Sequence, residues 1–330
     1  AYLNRANCYD SNGMPDVLKA LKEIMVDRDL VKSASTDPIH ITQRKAERPI
    51  TPQEAVMRVE GNFFPVSDLK DHLEKCRILG RSFTDQNYVG RLNLEKEAVK
   101  WEECLDLRPI TDFPLKDNKL EGAIELYRHP QKVNGKPIAN RYIAGIDPID
   151  DDSSTTDSLA SIFIFDLFTD EIVAEYTGRP RFATDFYEIC RRLLLYYDAR
   201  ANYENEKKGL FQYFELHKCL YLLVDTPQIL RDMEYVKNSS YGNKLKGTNS
   251  GKMINAWGRR LQRDWLLTPA INKNFDKEGD VVDHTLNLHR IRSLAYLEEL
   301  IKWNIDGNFD RVSAMGMCMI LRADRTKFLE

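Results

Sequence analysis

Arg141-Tyr142-Ile143-Ala144-Gly145-Ile146-Asp147-Pro148 is the stretch on which the fold turns. Its apolar run would bury both faces of a strand, as in a sheet covered on two sides. An acid and a proline then end it. Proline cannot donate to a β-ladder and favours a turn, so Asp147 is left at the carboxyl end of the strand. In open α/β sheets, sites form beyond that end.

Reading outward, a loop rich in Asp, Ser and Thr covers 149–158. Apolar strands follow at 159–165 and, after a turn at Thr169-Asp170, at 171–176. Short connections between consecutive strands predict an antiparallel meander. An amphipathic helix fits 183–197, a short strand 201–204 ending in Glu204, a helix 205–217 and an apolar strand 219–224. Meander, helix, strand, helix, strand is the order of an RNase H-like fold. The expected class is therefore α/β: a mixed sheet, part antiparallel meander and part parallel strands, flanked by helices. Further helices fit 251–266, 286–303 and 310–321.

Upstream the pattern is looser. Residues 1–48 read as an N-terminal segment, irregular apart from a helix over 15–31. Residues 49–139 read as a connector and small subdomain, punctuated by Pro109, Pro114, Gly122, Pro130, Gly135 and Pro137. Thr51, Pro52 and Glu54 have the spacing of a helix start with a capping box. Residues 140–330 form the main domain.

Composition limits the function classes. The chain has 330 residues, 42% hydrophobic and 30% charged, with a formal net charge of −3. There is no bulk basic footprint, so nucleic acid would have to meet a local patch. No run approaches the roughly 18 apolar residues of a membrane span. The six cysteines are scattered without a C-x-x-C pair, and His284 and His289 lack zinc spacing. A reduced, intracellular chain is the simple reading.

The acids carry the chemistry. Phosphodiester hydrolysis needs an activated water and a stabilised leaving oxygen, and two divalent cations about 3.5–4 Å apart supply both. Mg²⁺ and Mn²⁺ take oxygen ligands, a few from protein and the rest from water. Asp147 and Glu204 end strands, and Asp310 opens a late helix. Each alone has an ordinary explanation, as a turn acid, a helix-dipole acid and an N-cap. Together they predict a catalytic and metal-binding set, with Asp157 assisting. Glu206 is an alternate to Glu204, and Asp306, four residues before Asp310, is placed to face the same way.

In their settings these residues resemble the nuclease region of the large subunit of tailed-bacteriophage DNA-packaging terminases. The settings are Gly145-Ile146-Asp147-Pro148, Glu204-Asn205 with Gly209, and Asp310-Arg311-Val312-Ser313-Ala314. Gly247-Thr248-Asn249-Ser250-Gly251-Lys252 resembles the segment before a late helix in that family. Residues 49–65 resemble the connector from motor to nuclease, so the resemblance spans roughly residues 49–320. It implies a metal-dependent endonuclease that cuts concatemeric viral DNA during packaging, in the cytoplasm of an infected bacterium. The implied partners are double-stranded DNA, the portal protein, the small terminase subunit and a motor ATPase domain of the same polypeptide.

No P-loop is present. Gly247 to Lys252 has the wrong spacing and continues to Met253. With the missing initiator Met, this makes the expected chain a C-terminal portion. Lys244, Lys246 and Lys252, in a Gly/Asn/Ser-rich stretch, are the candidate DNA contacts. Competing readings are a Holliday-junction resolvase or transposase-type enzyme on the same fold, or a DNA-holding packaging module with a degenerate site.

Overall fold

The apolar runs do become doubly covered strands: every residue of Tyr142–Asp147 and Ala160–Asp166 is buried. A computed structural model describes residues 8–10, 12–34, 44–45, 47–51, 54, 62–79, 87–96, 98–115, 120–150, 158–231, 246–249, 251–270 and 285–326. Among these the strands are β1 (Tyr88–Glu95), β2 (Ala98–Glu103), β3 (Ile124–Leu126), β4 (Lys132–Val133), β5 (Lys136–Pro137), β6 (Tyr142–Asp147), β7 (Ala160–Asp166), β8 (Glu171–Gly178) and β9 (Arg200–Tyr203). The helices are α1 (Val17–Ala34), α2 (Val66–Leu79), α3 (Ala183–Tyr197), α4 (Gly209–Leu216), α5 (Gln228–Arg231), α6 (Lys252–Leu266), α7 (Leu294–Lys302) and α8 (Asp310–Thr326).

A seven-stranded sheet runs in the order β2-β1-β3-β8-β7-β6-β9, and β4 pairs with β5 separately. β6, β7 and β8 form the antiparallel meander read from the sequence. β9 joins β6 in parallel, with Ile146 opposite Tyr203. The fold is α/β, a mixed sheet flanked by helices.

Side chains alternate across a strand, and here the two faces have different tasks. Tyr142, Ala144 and Ile146 of β6, with Ile162 and Ile164 of β7, join the core that holds Phe186, Leu193 and Leu194 of α3 and Phe214 of α4. The intervening positions face the other helices. Phe165 packs on Trp265 of α6, and Phe163 on Tyr296 of α7. Asn202 of β9 donates to the Met317 carbonyl of α8 at 3.0 Å. Gly145 meets α8 backbone directly: a Cβ there would lie 2.2 Å from the Ala314 carbonyl oxygen and 2.3 Å from the Cys318 amide nitrogen. Asp147 is two residues on, so it shares this face.

Strands β1 to β3, which the sequence reading placed in the 49–139 connector, extend this same sheet from β8. Edge strand β2 is laced to β1 by Arg91–Glu102 at 2.8 Å and Lys100–Glu95 at 2.5 Å. Beyond β9 the expected strand over 219–224 is a 3-10 turn, Leu220–Leu222, followed by a single parallel bridge from Leu223 to Ala201. The helix expected from 205 begins at Gly209, because the Asn205 amide is held by the Thr248 carbonyl at 3.0 Å. The helix expected over 286–303 is broken. A 3-10 turn, Asn287–Arg290, precedes α7, where the Ser293 hydroxyl accepts from the Tyr296 amide at 3.2 Å.

The chain divides into two compact units, Ala1–Asp71 with Leu300–Gly307, and His72–Glu299 with Asn308–Glu330. In the first, the capping box is made: the Glu54 amide donates to the Thr51 hydroxyl at 3.3 Å, and the Glu54 carboxylate accepts from the Thr51 amide at 3.4 Å and also from the Ile50 amide at 2.6 Å. Arg28 grips the same carboxylate at 2.8 Å. Trp303 packs edge-on against Phe63 and Phe64. The sheet and all three strand-end and helix-start acids lie in the second unit. All six cysteines are buried, and none is in a disulfide. No helix among the described residues is long and apolar enough to cross a membrane.

The Gly145 contact yields a direct expectation. Gly145→Ala pushes a methyl into α8 backbone that has no rotamer to yield, and it should cost about 1–3 kcal/mol of stability. Urea unfolding checks this; a variant as stable as the parent would show that α8 does not lie so close.

Candidate active site

Parallel pairing brings the first two acids side by side. Ile146 is level with Tyr203, and the Glu204 amide donates to the Ile146 carbonyl at 3.3 Å. Asp147 and Glu204, each the next residue along, therefore emerge together at the carboxyl ends of β6 and β9. The third arrives on a helix. Ala314 and Cys318 of α8 lie on Gly145, and Arg322 reaches Asp170 in the β7–β8 turn at 2.6 Å. Helix and strand thus run in opposite directions, and Asp310 at the start of α8 falls at the Asp147 end.

Each acid has a different environment. Asp310 Oδ1 accepts from the Ser158 hydroxyl and the Asn308 amide, both at 3.0 Å, and Oδ2 accepts from the Leu159 amide at 2.8 Å. Asp147 is 6% exposed. Its Oδ1 is buried without a hydrogen-bond donor. The Lys207 ammonium stands 3.5 Å from that oxygen, and Glu204 is within hydrogen-bonding reach of the carboxyl.

Burial disfavours a charged carboxylate, and a neighbouring carboxylate adds to the penalty. Burial accordingly pushes the Asp147 carboxyl well above the usual range; Lys207 opposes the shift, while Glu204 and Asp310 reinforce it. Asp310 is also raised by burial, against its three hydrogen-bond donors. Acids are crowded together here, one with an oxygen that no hydrogen bond satisfies. Hard divalent cations are bound by such oxygens, so Asp147, Glu204 and Asp310 fit a metal in chemistry and location. As placed, however, no group of three or more His, Cys, Asp or Glu among the described residues is set to hold one ion. The Asp310 oxygens are turned to Ser158, Leu159 and Asn308.

The next residue anchors the helix start. Arg311, 1% exposed, pairs with Glu175 of β8 at 2.6 Å and with Glu299 of α7 at 3.0 Å. It also donates to the Ile110 carbonyl at 2.6 Å. The other Glu299 oxygen accepts from the Arg311 and Val312 amides at 3.0 and 3.3 Å, satisfying first-turn donors that the helix itself leaves open.

The remaining candidates fare variously. Asp157 and Lys244 lie outside the described residues. Glu206 and Asp306 are exposed. Lys246 is engaged: its ammonium pairs with Asp225 and donates to the Leu223 carbonyl, both at 2.9 Å. Lys252 is exposed at the first position of α6. Lys207, Ser158 and Asn308 were given no role in the sequence reading. Lys207 and Ser158 meet their acids across distant segments, and Asn308 bonds both Asp310, two residues on, and the distant Ser158.

Asp147 supports a test with a definite sign. A carboxyl held above its unfolded value stabilises the fold at acid pH, and that contribution is lost as pH rises through the folded value. Asp147→Asn is neutral throughout. Without metal it should match the parent near pH 4 and be the more stable of the two at pH 8. Equal stabilities at pH 8 in chelator would mean the acid is not strained.

No family model matches the sequence, and no curated protein matches it. Among solved structures, the chain is matched to the crystal structure of the large terminase nuclease from thermophilic phage G20c. The TM-score is 0.28 and the identity 10%, over 64% of this chain and 90% of that one. At so low an overlap, what this chain does has to be read from its own side chains.

Proposed function

We propose that the chain is a metal-dependent DNA endonuclease on an RNase H-like sheet, acting in the packaging of a tailed-virus genome. The observation that carries the nuclease reading is the meeting of Asp147, Glu204 and Asp310 at one end of the sheet, with a buried Asp147 oxygen left without a donor. The packaging context rests on the resemblance of the motif settings to terminases. In that context the chain works on concatemeric double-stranded DNA in the host cytoplasm, beside a motor ATPase domain, a portal and a small subunit.

Asp147, Glu204 and Asp310, with Asp157 assisting, would hold Mg²⁺ or Mn²⁺, two ions in all. Such ions, when bound, lower the pKa of a water and neutralise charge on the leaving oxygen. The chain's own part is orientation. Ser158, Asn308 and the Leu159 amide fix the Asp310 carboxylate, and the β6–β9 pairing fixes the spacing of the other two. Burial keeps water from screening Asp147, which strengthens its hold on a cation. Lys244, Lys246 and Lys252 would meet the phosphates, giving backbone recognition without base readout.

A second reading is a DNA-holding module that does not load metal. It is favoured by one observation: as placed, the described acids are not set to hold an ion. Mn²⁺ separates the two readings. A nuclease should be stabilised by Mn²⁺ against heat, following its binding affinity; a degenerate module should not.

In a plasmid assay, cleavage should require Mn²⁺ or Mg²⁺ and stop with EDTA. Asp147→Ala, Glu204→Ala and Asp310→Ala should each reduce it by on the order of a hundredfold or more while the fold persists. Cutting at the parental rate by all three would remove the site assignment. For DNA binding, Lys244→Ala with Lys252→Ala should lower the log–log salt slope by roughly 2. An unchanged slope would take both lysines off the DNA path. Lys246 is left in place in that test because it also anchors Asp225.

A further inference from the structure

Lys207 is the cation that already stands among the acids. Its ammonium lies 3.5 Å from the Asp147 oxygen that lacks a hydrogen-bond donor, and it donates to the Pro148 carbonyl at 2.5 Å. Its positive charge bears on Asp310 as well as Asp147. The charged and polar groups around it are thus Asp147, Glu204, Asp310 and the Pro148 carbonyl. The side chain is 36% exposed, so its head can swing into solvent.

Geometry and chain position support a replaceable cation. The contact to Asp147 is longer than a charge-assisted hydrogen bond, which runs about 2.7–2.9 Å. A lysine head is a compact point charge on a flexible stem, without the two-pronged grip of arginine. The stem springs from a fixed base, since the Asn205 amide is tied to the Thr248 carbonyl at 3.0 Å and its side chain to the Lys246 carbonyl at 3.1 Å. An ion seated on Asp147 would occupy the space toward which the ammonium points, and two cations cannot share one carboxylate oxygen at contact without repulsion.

We propose that Lys207 is the resident counter-cation of the carboxylate cluster, and that a divalent cation binds by displacing it. The site is then held closed to metal until the free ion is concentrated enough to compete. This rests on the metal-centre reading given above, and it adds a threshold to that reading: the chain sets its own metal requirement through one side chain.

The test uses the full chain, stripped with chelator, and Mn²⁺ alone as the probe, followed by calorimetry and by thermal shift. Two variants are compared with the parent: Lys207→Met keeps the stem without the charge, and Lys207→Gln keeps a donor for the Pro148 carbonyl. Both should bind Mn²⁺ about tenfold more tightly than the parent, a difference of about 1.4 kcal/mol. Both should also melt lower than the parent in chelator. Equal or weaker Mn²⁺ binding in both variants would overturn the role of Lys207 and leave the metal centre standing. Absence of Mn²⁺ binding in parent and variants alike would overturn both.

Discussion

Arg311 shares one guanidinium between Glu175 on the sheet and Glu299 on α7. Three ionised groups are removed from water at that point, a large cost unless each is fully paired. Here they are. Glu175 also accepts from the Tyr127 hydroxyl at 3.0 Å and from Thr177 at 3.0 Å. Even so, burial lifts the Glu299 carboxyl to about 7, against the pull of Arg311. What the network provides is a fixed rotation and depth for α8. With Gly145 admitting the helix to backbone contact, the network locates the helix start, and with it Asp310, relative to the strand ends. A small shift there would move one carboxylate away from the other two.

The acids at the site follow the opposite logic from those beneath it. Glu175 and Glu299 have their countercharge built in. Asp147 has only a loose ammonium and a neighbouring acid, and its carboxyl is raised accordingly. The two groups lie on one face of one sheet, so the difference comes from partners, not from depth. A buried polar atom without a partner destabilises a fold, and such unsatisfied groups concentrate at functional sites. Glu175 and Glu299 are fully partnered, whereas Asp147 keeps an oxygen without a hydrogen-bond donor.

Much of this was legible in the sequence, and the part that was not has a common cause. The run ending at Asp147, the meander after it and the helix over 183–197 announce themselves through burial pattern and turn residues, which are local properties. Strand-end placement of Asp147 and Glu204 followed from that pattern. β1 to β3 were misplaced because short strands among prolines and glycines carry no sign of which sheet they join. The 219–224 run looked like a strand because an apolar hexad does not distinguish a sheet from a buried 3-10 turn. The Asn205 region looked helical until the Thr248 segment claimed its backbone. Lys207, Ser158 and Arg311 act through partners remote in sequence. Charge counting therefore did not single out Lys207, which stands 3.5 Å from Asp147.

The lacing of β2 to β1 has a consequence for how the molecule behaves in a crowd. An edge strand offers unpaired amides and carbonyls to any other strand that meets it, and this is how β-proteins begin to aggregate. Here the rim bristles with alternating charges: Glu95, Lys100, Arg91 and Glu102, already committed to one another. A second strand would have to desolvate them to dock. At the opposite rim, the bridges from Leu223 to Ala201 and from Thr248 to Glu204 occupy the outer side of β9. A second strand arriving at either margin of this sheet would therefore have to displace those contacts before it could pair.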